Sequence, residues 1–236
     1  MIKVENLTIG YDNQVILKDI NLSIKEGEYV CIIGANGSGK STLLKTMLGL
    51  NKPLSGKITI SDKASIGYVP QALQLQQDIP ATVNEIVMSG CLKKMKWRPF
   101  YTKKERDLAQ KNMKLLQITS LKHKSFSELS GGQQQRALIA RALCATNKVL
   151  FLDEPFTALD GYAAIKLYGI LRKINREDKV TIVIISHDVE TILRYADHVI
   201  HVDETIVFDG TKDEYLESSF MIELNGGAEY CLWQLL

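Results

Sequence analysis

Several features are scarce or missing from this 236-residue sequence, and each omission narrows its meaning. No run of roughly 18 apolar residues occurs, so no segment reads as a membrane-spanning helix. The opening Met1-Ile2-Lys3-Val4-Glu5-Asn6 lacks the apolar stretch of a secretory signal, and the expected location is the cytosol. Cysteine is limited to Cys31, Cys91, Cys144 and Cys231, with no CxxC pair and no histidine nearby at ligand spacing. That excludes a structural zinc site or a disulfide framework of the usual patterns and leaves reduced, mostly buried thiols. A net charge of +2 selects no class of partner. Internal repeats, low-complexity tracts and obvious linkers are absent as well. What remains, 45% hydrophobic and 24% charged residues, is ordinary soluble globular composition. The length suits one domain carrying an inserted subdomain.

The early part of the sequence reads as strands. Ile2 and Val4, then Ile20, Leu22 and Ile24, alternate with polar residues as in a half-buried sheet. Glu26-Gly27 signals a turn, and Tyr29 to Ile33 is a continuous apolar run, the pattern of a strand covered on both faces. A glycine-rich loop follows, then a helix over Ser41–Leu50. Gly56–Ile60 and Ile66–Val69 read as further strands. From Gln71 to about Ser127 the texture is helical: Thr82–Cys91 and Thr102–Leu116 open with the capping-box pairs Thr82/Glu85 and Thr102/Glu105, and Pro99 separates them. Beyond it, apolar strands (Val149–Leu152, Thr181–Ile185) alternate with helices (Gln133–Cys144, Tyr162–Asn175, Val189–Ala196). This alternation predicts an α/β fold with a mostly parallel sheet and an inserted α-helical subdomain at 71–127.

Three short segments carry chemistry. Gly34-Ala35-Asn36-Gly37-Ser38-Gly39-Lys40-Ser41 satisfies G-x-x-x-x-G-K-[ST] between a strand and a helix. Glycines let backbone N–H groups converge on phosphate oxygens, and the helix N-terminus favours the same anion. Lys40 is expected to reach the β and γ phosphates and Ser41 to ligate Mg²⁺. The apolar strand ending Asp153-Glu154 delivers two carboxylates at its carboxyl end, where open α/β sheets bind ligands. Asp153 suits Mg²⁺, and Glu154 suits polarising an attacking water. Leu129-Ser130-Gly131-Gly132-Gln133 starts a helix with Ser130 as N-cap and makes a second anion-binding loop. Two such loops in one chain point to a head-to-tail pair in which each subunit's second loop closes the other's nucleotide site. His198 and His201, by contrast, read as residues of a solvated strand edge rather than as metal ligands.

These motifs, together with Gln71, Ala158-Leu159-Asp160 and His187, occur in the order seen in ABC ATPases, which the sequence resembles over nearly its whole length. The resemblance implies a P-loop NTPase (RecA-like) core at 1–70 and 128–236 with an N-terminal antiparallel β segment, ATP and Mg²⁺ as ligands, and ATP hydrolysis. It implies that Tyr11 stacks on adenine, and that Gly34, Asn36, Gly37, Ser38, Gly39, Lys40, Ser41 and Thr42 hold the phosphates. Ser130, Gly131, Gly132, Gln133 and Asp160 would serve nucleotide across a dimer. Gln71 would sense Mg²⁺ and water, and His187 would contact the γ-phosphate.

The segments Glu154-Pro155-Phe156-Thr157-Ala158-Leu159-Asp160 and Trp97-Arg98-Pro99 further resemble ATPase subunits of zinc/manganese uptake systems. Those act on the inner face of the membrane with a second ATPase subunit, a permease and an extracytoplasmic binding protein. Siderophore, haem or cobalamin importers have similar subunits, and a soluble ABC ATPase acting on ribosomes or DNA is the rival from another class. Between Lys93 and Lys124 eleven basic residues face only Glu105 and Asp107. This reads as a solvated helical face more readily than as a nucleic-acid patch, because no aromatic platform interleaves with the charges.

Overall fold

Long β1 (Ile2–Tyr11) and β2 (Gln14–Ile24) form an antiparallel hairpin, from Ile2 opposite Ile24 to Tyr11 opposite Gln14. The alternation of buried residues is interrupted at Asn6 and Asp19, both left-handed, so that burial passes from Val4 to Leu7 and from Leu17 to Ile20. The computed structural model describes residues 1–11, 14–61, 66–71, 80–95, 97–157 and 159–224. They fall into two compact units.

The first unit comprises Met1–Ile24, Glu28–Thr59 and the chain from Ile185 onward. It holds the hairpin, flanked on the β1 side by β4 (Ser55–Ile60). Fully buried β3 (Tyr29–Ile33) pairs in parallel with β8 (His198–Asp203), which pairs antiparallel with β9 (Thr205–Thr211). Helix α1 (Lys40–Met47) packs against β1, and α7 (Val189–Leu193) against β3. Helices α8 (Lys212–Leu216) and α9 (Ser219–Leu224) follow β9. Gly226, Gly227 and Trp233, which the sequence placed in a tail of unclear role, lie outside the described residues.

One expectation is corrected here. His198 and His201 do not sit on a solvated edge, because β8 is flanked by β3 and β9. The His198 ring lies between Glu28 (Nδ1 to Oε2, 3.3 Å) and Asp209 (Nε2 to Oδ1, 2.6 Å), with its side chain 13% exposed. His201 Nδ1 instead meets the Tyr215 hydroxyl at 3.2 Å, and burial lowers its pKa. For His198, burial alone would favour the neutral ring. The hydrogen bond and charge of Asp209, and then of Glu28, outweigh it and raise the pKa. The charge of His198 also helps to lower the pKa of Glu214, behind the stronger hydrogen bonds from Thr211. A raised folded pKa contributes stability that is complete below the unfolded value of about 6.5 and is lost as pH rises through the folded one. His198→Gln is therefore expected to cost about 1–3 kcal/mol at mildly acidic pH. The gap to the wild type should close at alkaline pH in urea titrations. A pH-independent difference would show that the imidazolium is not the stabilising species.

The second unit comprises Lys25–Gly27 and Ile60–Ile184. Parallel β5 (Ile66–Val69) and β6 (Val149–Asp153) run in register, with β7 (Thr181–Ile185) beside β6. Every residue of β6 and β7 is buried, as their unbroken apolar sequences require. Helices α2 (Val83–Ser89), α3 (Leu92–Met95) and α4 (Lys103–Leu115) pack on α5 (Gly131–Ala145), which also contacts β5. Helix α6 (Gly161–Asp178) buries Ala164, Leu167, Tyr168, Leu171 and Ile174, one helical face.

Both predicted capping boxes are present, at Thr82/Glu85 and Thr102/Glu105. The second carries more load: Glu105 accepts from Arg98 (2.8 Å) and from the Thr102 backbone (2.7 Å). Arg98 first, then Thr102, draws its pKa down to about 2. Helix α5 begins two residues earlier than the apolar pattern suggests. Ser130 and Gln133 form a further capping box, which places Gly131 and Gly132 inside the first turn.

Candidate active site

The phosphate loop leaves β3 and ends at Gly39, whose left-handed backbone (φ 97) caps α1 without a side-chain hydrogen bond. The first-turn N–H groups of α1 therefore have no side-chain acceptor at the cap. At Gly34 only glycine fits, since a Cβ would run into the Val202 carbonyl oxygen. Lys40 is 5% exposed, and its ammonium donates to the carbonyls of Gly34 (2.9 Å) and Ala35 (2.6 Å), bracing the loop from within. Asn36 and Gly37 are exposed; Ser41 and Thr42 are half-buried, and the Thr42 carbonyl accepts from Thr46 Oγ1. Ser38 Oγ is buried with no hydrogen-bond partner in the protein, the condition expected of a hydroxyl whose partner is a ligand. The loop thus supplies a cation, backbone donors and an unpaired buried hydroxyl at one helix N-terminus, a set that fits phosphate.

In the same unit Tyr11 is 49% exposed, and its hydroxyl accepts from Asn51 Nδ2 at 2.9 Å. His187 is exposed, so it is not a packed core histidine. The turn carrying it is held by Ser186 Oγ, which accepts from the Asp188 N–H, and by Asp188, which caps α7 at Thr191.

In the second unit β6 ends at Asp153, buried to 1% exposure, and Glu154 follows in a left-handed conformation (φ 46). For a non-glycine residue that conformation costs on the order of 1 kcal/mol and persists only where surrounding structure imposes it. It ends the extended run of β6 immediately after Asp153. Gln71, 83 positions earlier, donates from Nε2 to Glu154 Oε2 at 3.0 Å. Sequence order alone could not pair these two. Tyr68 was missed altogether: its hydroxyl pKa is pushed up to about 12, chiefly by burial and secondarily by the charge of Asp153. Its position three residues before Gln71, on a strand parallel to the Asp153 strand, was the available signal.

The second anion loop lines a cleft of about 500 Å³ together with Gln117, Arg136 and Asp160. Ser130 Oγ accepts from the Gln133 N–H, Gln133 Oε1 accepts from the Ser130 N–H, and Asp160 caps α6 by accepting from Ala163 at 2.8 Å. A Cβ at Gly132 would lie 2.8 Å from Leu159 Cδ2, so a side chain there would displace the tip of Leu159.

Residues 17–157 match the ABC transporter family, which is more than half of the chain. This chain belongs to the ABC transporter family. It is 35% identical to the zinc uptake system ATP-binding protein ZurA of Listeria innocua, over 91% of this chain and 87% of that protein. It is 34% identical to the manganese transport system ATP-binding protein MntB of Listeria monocytogenes, over 90% of each. An ATP-binding cassette solved as a dimer in a post-hydrolysis state, bound to ADP and Pi, superposes with a TM-score of 0.76 at 32% identity. That match covers 90% of this chain and 99% of that one. The chain is accordingly an ABC ATPase, the ATP-binding and ATP-hydrolysing type of subunit that powers such a transporter. Its fold is the P-loop NTPase fold expected from the sequence.

Among the described residues no helix of the ABC ATPase is long and apolar enough to cross a membrane, and no group of three or more His, Cys, Asp or Glu is placed to hold a metal ion.

Proposed function

We propose that this ABC ATPase energises import of a divalent metal ion, zinc or manganese, as half of an ATPase dimer beneath a membrane permease fed by an extracytoplasmic binding protein. The observation that supports the ATPase roles is the Gln71–Glu154 hydrogen bond, which ties a polar side chain to the carboxylate that follows the end of β6. The zinc and manganese uptake relatives, spanning about nine-tenths of the chain, support the choice of cargo. The chain's own residues would not need to ligate that cargo, which passes through the permease.

In this reading Gly34, Asn36, Gly37, Ser38, Gly39, Lys40, Ser41 and Thr42 hold the ATP phosphates, and Tyr11 stacks on adenine. Phosphoryl transfer to water needs positioning and charge neutralisation more than covalent chemistry. Glu154 accepts a proton from the attacking water, held in place by Gln71, while His187 fixes the γ-phosphate. Ser130, Gly131, Gly132 and Gln133 offer the N-terminus of α5 to nucleotide bound by the other subunit, with Asp160 beside them. A buried carboxylate (Asp153), a hydroxyl (Ser41) and an amide oxygen (Gln71) are hard oxygen donors and suit Mg²⁺. When bound, Mg²⁺ would neutralise charge on the β and γ phosphates. The helical subdomain at 71–127 would meet the permease, keeping the ATPase peripheral on the inner face of the membrane.

The test is affinity purification of the tagged chain from detergent-solubilised native membranes, then reconstitution of the recovered complex. A multi-spanning protein at near-stoichiometric yield, and ATP-dependent uptake of labelled zinc or manganese into vesicles, is the expected result. Uptake of a siderophore, haem or cobalamin instead would overturn the cargo. Recovery of ribosomal proteins or nucleic acid without a membrane protein would overturn the transporter role.

A further inference from the structure

Helix α1 joins two parts of the proposed nucleotide site. Its N-terminus is the end of the phosphate loop, and just past its C-terminus stands Gly49, left-handed at φ 73. The Gly49 N–H donates to the Thr46 carbonyl at 2.9 Å and the Leu50 N–H to the Lys45 carbonyl at 2.9 Å. That pair of bonds satisfies the last carbonyls of a helix and fixes the direction of the chain leaving it. Leu43, Leu44 and Met47 are buried, so the helix is held along its length of about 12 Å. Asn51 follows two residues after Gly49, and its Nδ2 donates to the Tyr11 hydroxyl at 2.9 Å across a separation of 40 positions. Three residues further on, the Leu54 N–H donates to the Thr8 carbonyl at 2.9 Å and ties the same loop to β1.

We infer that Asn51 is a positioning residue for the nucleotide base: it holds the Tyr11 ring at a set distance from the phosphate loop, so that base and phosphates meet surfaces tied to one rigid helix. The inference rests on the proposed stacking of Tyr11 on adenine. Tyr11 is 49% exposed, so a ring held by its hydroxyl still leaves surface for a base. An untied tyrosine at such a site samples several rotamers, and ordering it on binding lowers affinity. With the hydroxyl already held, the ring is ordered before nucleotide arrives. Folding gains little from this bond, because it forms where water reaches both partners. Its consequence lies in where it holds the ring. Asn51 therefore acts through Tyr11, and on the base half of the nucleotide alone.

The experiment titrates ATP, and separately inorganic triphosphate, into the full chain and into Asn51→Leu, Tyr11→Phe and the double variant. Asn51→Leu keeps the size of the side chain and removes its donor, while Tyr11→Phe keeps the ring and removes the acceptor. Each single substitution is expected to weaken ATP binding by about two- to ten-fold. For Asn51→Leu, triphosphate binding and turnover at saturating ATP should stay at the wild-type level, so that KM rises and kcat does not. The double variant should lose no more than either single one, as two ends of one hydrogen bond require. Tyr11→Ala tests the stacking beneath the inference: a larger loss of ATP affinity than in Tyr11→Phe supports it, and unchanged affinity removes stacking and inference together. If Tyr11→Ala weakens ATP binding and Asn51→Leu does not, stacking stands and the role of Asn51 is overturned. An equal loss for triphosphate in Asn51→Leu also overturns it, because the effect would then have reached the phosphate loop through α1. Additive losses in the double variant, or wild-type ATP affinity in Tyr11→Phe, would show that Asn51 does not act through the tyrosine hydroxyl.

Discussion

Glu154→Gln is expected to bind ATP normally, to lower turnover by about 10²–10⁴-fold and to accumulate as an ATP-bound dimer. The amide keeps the size of the carboxylate and still offers an oxygen to Gln71 Nε2, so the 3.0 Å hydrogen bond and the left-handed turn at φ 46 can persist. What is lost is the capacity to take a proton from water. Binding and chemistry are thereby separated, which is why the effect belongs on the chemical step and not on affinity. Single-turnover hydrolysis and size-exclusion chromatography with ATP measure the two halves of the prediction. Turnover close to that of the wild type would remove Glu154 from the chemistry and leave its backbone conformation as a purely structural feature of the strand end.

Lys40→Ala is expected to weaken ATP binding by about 10–100-fold, the loss of charge-assisted hydrogen bonds to phosphate, and to abolish measurable turnover. The structure adds a second consequence. The ammonium holds the Gly34 and Ala35 carbonyls, so the variant also loses the internal brace of its loop. Lys40→Arg should not rescue it: the site is 5% exposed, and a planar guanidinium cannot occupy the space of a compact ammonium. Nucleotide titration gives the affinity, and thermal melting without nucleotide separates a loosened loop from general unfolding. An unchanged ATP affinity with normal melting would show that Lys40 serves the loop and not the nucleotide.

Much of the local architecture was legible because its causes are short-range. Thr82/Glu85 and Thr102/Glu105 mark helix starts since a cap is satisfied within three residues, and both caps are present. The unbroken apolar segments at Tyr29–Ile33 and Thr181–Ile185 became fully buried strands with the same limits. At α5 the two signals differ: apolar periodicity alone starts the helix at Gln133, whereas Ser130 read as N-cap starts it at Gly131, and the cap is right because it is a local hydrogen bond. The error at His198 has a different origin. Strand polarity suggests an edge, but the cost of burying an imidazole depends on what faces it: Asp209 arrives on the following strand and Glu28 from 170 positions away.

By itself the sequence determined most of the strands and helices between Tyr29 and Leu193, and the family, since their signals are written in residues within hydrogen-bonding or helical reach of one another. Tertiary structure alone decided that Gln71 meets Glu154, that Tyr68 lies within the field of Asp153, and that Ser130, Arg136 and Asp160 share one cleft. It also decided that Trp97 stays uncovered. These are juxtapositions of segments far apart in the chain, fixed by sheet register and helix packing, and spacing along a sequence carries no information about them until the backbone has closed those distances.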